Sequence, residues 1–340
     1  MDCLFMLFVF SVLFYIRPLK RNEQNEDFLK LENSNRLRGI MAVTIIMHHL
    51  SEHTSSGRLF PMMQHMGYLI VAVFFLFSGY GLMIQYSKRG KRYLEGFWKK
   101  RILFFAIVFL LVTAFYWLLL AVDGNQITIG DAIEMLLHGE TIAGSAWYLI
   151  AQMIFYVFFW LSFTMYQDTK KALTNLCLLI TTYTIALFFG DYPRYWLYSN
   201  YAFICGAFLA GFKNQIYAYL KRKYWIVLFI TACVFIMFST VPLIYRPSYT
   251  ICRILSAPLF SILVFIWMGK INIKKGLWDQ ISVLSLELFL LHAAVYRFLR
   301  GNIIQIDDDV MYCLSVITIT FIISIPAHLL NTKIKEKLST

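Results

Sequence analysis

The chain has 340 residues, of which 59% are hydrophobic and 15% charged, and its formal net charge is +12. Soluble domains carry about 25% charged residues, so this composition, with a mean hydropathy of +0.64, excludes an ordinary soluble protein and points to a multi-span membrane protein. The positive excess calls for no nucleic-acid partner, because loop placement accounts for it.

In chain order, residues 1–16 are a short apolar segment with neither a basic leader nor a small-residue cleavage site. A removable signal peptide is therefore not expected. Asp2 before it and Arg17, Lys20 and Arg21 after it suit an anchor with its N-terminus outside; an over-extended start is the alternative. Spans follow at 39–57, 68–87, 102–122, 146–165, 171–190, 195–212, 223–242, 250–270, 280–299 and 310–330. The predicted fold class is all-α, a polytopic transmembrane helix bundle of ten core spans plus one. Its expected organisation is 1–35 as apolar segment and cytoplasmic linker, 36–332 as the membrane domain, and 333–340 as a cytoplasmic tail. No low-complexity linker, soluble domain or strong repeat is visible.

All but six of the 31 lysines and arginines lie in 17–38, 88–101, 168–171, 213–223, 270–275 and 333–340, segments that alternate spans place on one side. The six are Arg58, Arg194, Arg246, Arg253, Arg297 and Arg300. Such a bias puts the basic loops, and the C-terminus, in the cytoplasm, with the acidic loops 123–140 and 307–309 outside.

The first core span holds the strongest signal. From Gly39 to Leu50 its apolar run covers about 18 Å at ~1.5 Å per residue, against a hydrocarbon core of roughly 30 Å. Crossing would carry Ser51, Glu52, His53 and Thr54 into the membrane behind His48 and His49. Groups that polar are tolerated there only against protein or a wet cavity. His49 and His53, four apart, share a helix face. A metal site is one reading, with Glu52 or His65 nearby, but His-His-Leu-Ser-Glu-His is not the H-E-x-x-H signature, and no metal is expected. A neutral imidazole acting as general base and histidines bonded only for helix packing are the others.

Three further constellations follow. Phe74-Phe-Leu-Phe-Ser78-Gly79 carries small residues of the kind that let helices approach. The segment after it, Lys88 to Arg101, holds seven cations that suit a phosphate-rich ligand or anionic lipid, as well as topology alone. Trp147-Tyr-Leu149 then opens the fourth span at its outer end, where tryptophan anchors interfaces. In the ninth span, Ser285-Leu-Glu287-Leu-Phe-Leu-Leu-His292 brings an acid to membrane depth, a functional candidate by default or an inter-helix tie. Glu287 and His292 lie about 140° apart around a helix, so Glu287 should meet a partner on another helix. The six cysteines form no C-x-x-C pair and read as small buried apolar residues.

The ordered set L-R-G-I with a histidine eleven after Arg38, F-F-L-F-S-G-Y, F-x-K-K-R, W-x-L and S-L-E-L-F-L-L-H resembles the acyltransferase 3 family over residues 36–330. The resemblance implies an integral membrane acyltransferase of the bacterial plasma membrane. It would move an acyl group, commonly acetyl from cytoplasmic acetyl-CoA, to a hydroxyl of a lipid-linked or surface polysaccharide. It places the family histidine on His49, with His48 as neighbour, and assigns Ser78, Glu287 and His292 as further catalytic candidates. Arg38, Lys99, Lys100 and Arg101 are the expected contacts to the donor's phosphates. Two positions depart from the family pattern: Phe104 stands where a second arginine is frequent, and Gln152 where W-x-L-x-x-E has its acid. The competing readings are a glycan or lipid exporter without acyl chemistry, for which no span shows a paired Gly or Pro interruption, and a silent scaffold.

Overall fold

The computed structural model describes residues 1–339, and of residues 242, 243, 247 and 339 the backbone only. Helix α1 (Asp2–Tyr15) leads into strand β1 (Ile16–Pro18), then α2 (Leu31–Glu52), α3 (Gly67–Arg89), α4 (Phe104–Val122), α5 (Ile129–Leu137), α6 (Trp147–Met165) and α7 (Thr169–Phe189). The short α8 (Tyr195–Tyr198), α9 (Tyr201–Gly211), α10 (Lys213–Ile244) and α11 (Tyr249–Met268) precede strand β2 (Ile271–Ile273). Helices α12 (Leu277–Val283), α13 (Ser285–Phe298) and α14 (Asp309–Ser339) complete the bundle. Thr340, the end of the expected tail, lies outside the described residues; the rest of that tail continues α14.

The fold class is the expected helical bundle, but the span count differs. Among the described residues seven helices are long and apolar enough to cross a membrane, and α12 with α13 forms an eighth candidate bent by 74°. The expected span at 195–212 is broken into α8 and α9. Its break falls at Ser199 and Asn200, and that of α12–α13 at Leu284. Neither break has Gly or Pro, so looking for those residues in the sequence misses both.

Helix α2, the expected first span, is not among those candidate spans, and its bounds differ from 39–57. Its length comes from the polar side: it starts at Leu31, eight residues before Gly39, and ends at Glu52 with His53 as its cap. Its 22 residues span about 33 Å. In these first turns Leu31 and Glu32 are exposed, whereas Asn33 and Ser34 are buried, and the buried polar groups have partners. Asn33 donates to Asn272 Oδ1 at 3.1 Å and accepts from the Ile273 amide at 3.2 Å. The Arg36 guanidinium reaches Asp279 at 2.7 Å.

The basic loops gather at one end of the bundle. There β1 pairs antiparallel with β2, Ile16 opposite Ile273, and Asn25 donates to the Met268 and Ile271 carbonyls at 2.7 Å each. Asp27 meets Lys213 and accepts from Tyr217. Burial raises its pKa, but Lys213 and the tyrosine hydroxyls outweigh that and hold it below the ordinary carboxylate range. At the opposite end Asp2 accepts from the amides of Arg58, Leu59 and Phe60, so α1 runs from one end to the other. Asp309 caps the 53–66 loop there through Ser55 and Ser56. The loop at 123–140 contains the amphipathic α5, closed by a Thr128–Asp131 capping box. Its Ile129, Ile133, Leu136 and Leu137 are exposed, a face suited to a membrane surface.

Helix α3 is central, with 72% of its apolar window buried, whereas α10 has 6% and presents its apolar residues outward. The α3–α9 crossing needs two glycines. A Cβ on Gly79 would stand 2.0 Å from the Phe203 carbonyl oxygen, and one on Gly206 2.0 Å from that of Leu76. Close backbone approach of this kind is how membrane helices pack without a hydrophobic driving force. Gly79→Leu is therefore expected to abolish recovery of monodisperse protein from detergent. Gly81→Ala, with nothing within 4 Å of the added methyl, should leave the melting temperature equal or slightly higher, as helix propensity favours alanine by about 1 kcal/mol.

Candidate functional site

Most of the sequence-predicted residues line two cavities at opposite ends of the bundle; His292 and Lys99 line neither. The histidine cavity, about 590 Å³, is lined by His48, His49 and Glu52 from α2, with Tyr296 and Arg297 of α13. The basic cavity, about 520 Å³, is lined by Arg38, Ser78, Lys100, Arg101 and Glu287 among others.

In the histidine cavity each imidazole has a fixed orientation. His49 Nδ1 lies 3.0 Å from Glu52 Oε2; a carboxylate only accepts, so Nδ1 carries the proton and Nε2 offers its lone pair. His48 Nδ1 donates to the Met63 carbonyl at 3.0 Å, and a Cβ on Gly67 would fall 2.2 Å from its Nε2. The Gly67 position thus exists to admit that ring. His292 donates from Nδ1 to the Leu288 carbonyl at 3.1 Å, is fully buried, and leaves Nε2 without a partner. It stacks on His49 at 5.1 Å between centroids. His53 packs on Tyr296 at 4.5 Å, and the Tyr296 ring also lies 6.0 Å from those of His49 and His292. His48, His49 and Glu52 place possible ligand atoms within 4.8 Å of one another, a spacing that a cation could also use.

The structure separates Ser78 and Glu287 from the histidines. Residues 287 and 292 are five apart, about 7.5 Å along the helix and on different faces, so Glu287 opens to the other cavity. It meets the partner expected on another helix: Asn331 of α14 donates to Oε1 at 2.8 Å, and His328 Nδ1 lies 3.3 Å away. Glu287 sits in the first turn of α13, where the helix dipole favours an anion. Ser78 accepts from Gln152 Nε2 at 2.6 Å and shares a hydrogen bond with Tyr156 at 2.9 Å. The amide in place of the family acid is thus a buried donor to Ser78.

Arg38 and Arg101 reach the basic cavity without a carboxylate partner among the described residues. Arg38 lies over the Phe77 ring at 5.6 Å. Lys335 of α14 joins them, as does Phe104. Lys99 is exposed and lines neither large cavity. The reason is geometric: successive helical residues fan around the axis by about 100°, so Lys99, Lys100 and Arg101 cannot all face one space. The widened π turn at Trp98–Leu103 sets which two do.

The cavities approach each other at one layer of rings. Phe289 lines the histidine cavity, Phe74 and Tyr148 the basic one. Their centroids lie 5.8 Å (Phe74–Phe289) and 4.8 Å (Tyr148–Phe289) apart. The motifs F-F-x-x-S-G and W-Y-L thus supply the partition through Phe74 and Tyr148. Sequence reasoning gave Glu52 only a metal-related part, although its position three after His49 puts it on the same face. It gave Arg253 and Arg297 no role; their signal was that they broke the charge bias.

A family model described as an acyltransferase domain, acyltransferase 3, matches residues 31–329. The chain belongs to the acyltransferase 3 family. It is a multi-pass membrane protein of that acyltransferase class. No curated protein and no solved structure matches it.

The ring layer makes a prediction that needs no substrate. In a cysteine-free background, a cysteine replacing Tyr148 should react with a charged, impermeant thiol reagent only from the basic end. One replacing Phe289 should react only from the histidine end. Labelling of either from both ends would show the layer to be open.

Proposed function

We propose that this acyltransferase is an O-acyltransferase with its donor and acceptor on opposite sides of the bundle. The donor is an acyl-CoA, with acetyl-CoA the expected form, entering from the cytoplasm at the basic cavity. The acceptor is a hydroxyl of a cell-surface or lipid-linked polysaccharide, entering the histidine cavity from the outer side. The observation that carries this reading is the pairing of two cavities across one ring layer, with Arg38 and Arg101, which have no carboxylate partner among the described residues, at one end and a carboxylate-held imidazole at the other.

The basic cavity fits a phosphate-rich donor: Arg38 and Arg101 have no carboxylate partner among the described residues, and Lys100 and Lys335 add charge. Charge-assisted hydrogen bonds to phosphate are strong and favour guanidinium. Bound there, the donor supplies a thioester whose length would carry its acyl group past Phe74, Tyr148 and Phe289. His49 takes the proton from the acceptor hydroxyl at Nε2. Glu52 keeps Nδ1 protonated and stabilises the imidazolium that results. As the new acyl–oxygen ester bond forms, the acyl–sulfur bond breaks, and His49 returns the proton to the leaving thiolate. His48 and His292 pack around this ring and keep it oriented. Ser78 and Glu287 act at the donor end, positioning rather than exchanging protons with the acceptor.

A second reading is kept by one observation: a broken span and cavities at opposite ends also describe a glycan or lipid exporter. Mass spectrometry of surface glycans separates them. An acyl increment lost in both the deletion and His49→Ala strains supports transfer; unchanged acylation with less glycan supports export.

General-base help is worth about 10²–10⁴-fold. His49→Ala, with His48 also replaced to remove its substitute, should therefore lower the purified protein's transfer rate by that range while inserting normally. Glu52→Gln should cost less, and should add nothing on top of His49→Ala, since residues acting as a unit are not additive. Independent losses would sink the assignment of Glu52. Treatment with EDTA should leave the rate unchanged; a loss restored by a divalent cation would move the histidine group to a metal site.

A further inference from the structure

Arg253 breaks the charge bias of this chain and also the usual rule for buried cations. It is the fifth residue of α11, half-buried at the wall of the histidine cavity. A charge in a membrane helix usually pairs with an opposite charge. Yet no carboxylate lies within ion-pair distance of Arg253, or of Arg297, among the described residues.

Three tyrosines hold it instead. The Arg253 guanidinium stands 4.5 Å from the ring centre of Tyr68, 5.5 Å from that of Tyr198 and 4.3 Å from that of Tyr249. These come from three elements, α3, α8 and α11, so the group is fixed from several sides. Cation–π contact orients a guanidinium but leaves its N–H donors for a ligand. Tyr68 is itself tied down: its hydroxyl shares a 3.3 Å hydrogen bond with Ser256, and its carbonyl accepts from Ser199 at 2.7 Å.

Arg253 and Arg297 supply positive charge to the cavity; of the two carboxylates that line it, Glu52 is held by His49 and Glu140 is exposed. Trp147 and Tyr195, 5.1 Å apart between centroids, offer flat apolar faces on the same wall. Faces of that kind suit the apolar side of a sugar ring.

We infer that the acceptor recognised in this cavity carries an anionic oxygen group, gripped by Arg253 in a cavity that Arg297 also lines, so that the substrate class is an acidic sugar. The inference rests on the acyl-transfer reading for its word acceptor. The anion is either a sugar carboxylate or a sugar phosphate, since guanidinium matches the geometry of both.

The test is binding without donor, so it is independent of catalysis. Dissociation constants of methyl glucuronide, glucose 6-phosphate and methyl glucoside are measured by ligand-observed NMR on purified wild-type protein. At least one anionic sugar should bind about tenfold tighter than the neutral one, as expected for a charged hydrogen bond. The advantage should shrink at high salt, largely vanish in Arg253→Gln, and partly persist in Arg253→Lys. Which anion binds assigns carboxylate or phosphate; inorganic phosphate competing as well as the sugar phosphate would assign the grip to the phosphate alone. Equal binding of all three sugars by wild type would overturn the proposal. So would a preference that survives in both Arg253→Gln and Arg297→Gln while their melting temperatures fall, because Arg253 would then be a structural tie. Should Arg253→Gln fail to fold, the wild-type comparison and Arg297→Gln still decide. Selective binding of an acidic sugar with no acyl transfer to it would count against the transferase reading alone.

Discussion

Hydrocarbon offers neither hydrogen bonds nor counter-charge, so every polar group carried to membrane depth must face protein or water. In this chain that constraint turns α2, α13 and α14 inward. Helix α2 brings Arg38 at one end and His48, His49 and Glu52 at the other. Helix α13 answers with Glu287 near its start and His292 and Arg297 further along. The two polar regions stay apart because one layer of rings, not an open channel, lies where they approach.

The second device is the break before α13. Bending by 74° at Leu284 creates a helix N-terminus inside the bundle. That places Glu287 at the positive end of a helix dipole and lets Asn331 and His328 reach it from α14. A straight span would have left this buried carboxylate without the dipole, with only the side chains of Asn331 and His328 beside it. Further along, α13 is held by hydrogen bonds to the Leu290 carbonyl from Tyr116 and Ser145 and to the Tyr296 carbonyl from Tyr312. Through them the His292 face keeps its position against His49.

The third is close backbone packing. Gly79 and Gly206 let α3 and α9 touch, and α3 carries three of the features discussed: Tyr68 under Arg253, Phe74 in the ring layer, and Ser78 in the basic cavity. The motif glycine and the motif serine therefore have different duties one residue apart. Gly79 makes the scaffold, and Ser78 is turned by that packing toward Gln152 and Tyr156.

Much of this was legible beforehand. Mean hydropathy points to a membrane protein, and the placement of lysine and arginine between apolar runs gathers the basic loops at one end, because both are carried by stretches of sequence without long-range contacts. Motif order carried the family. The 3.6-residue period determined that Glu287 and His292 face apart and that His49 and Glu52 face together. Long-range placement was not legible. Only the tertiary structure decided that α2 gains its length from Leu31 to Arg38, that Ser78 and Glu287 sit in a different cavity from His49, and that Arg253 is stacked among three tyrosines. Those outcomes depend on contacts between residues 40 to 250 positions apart, whose energies no local pattern in the sequence encodes.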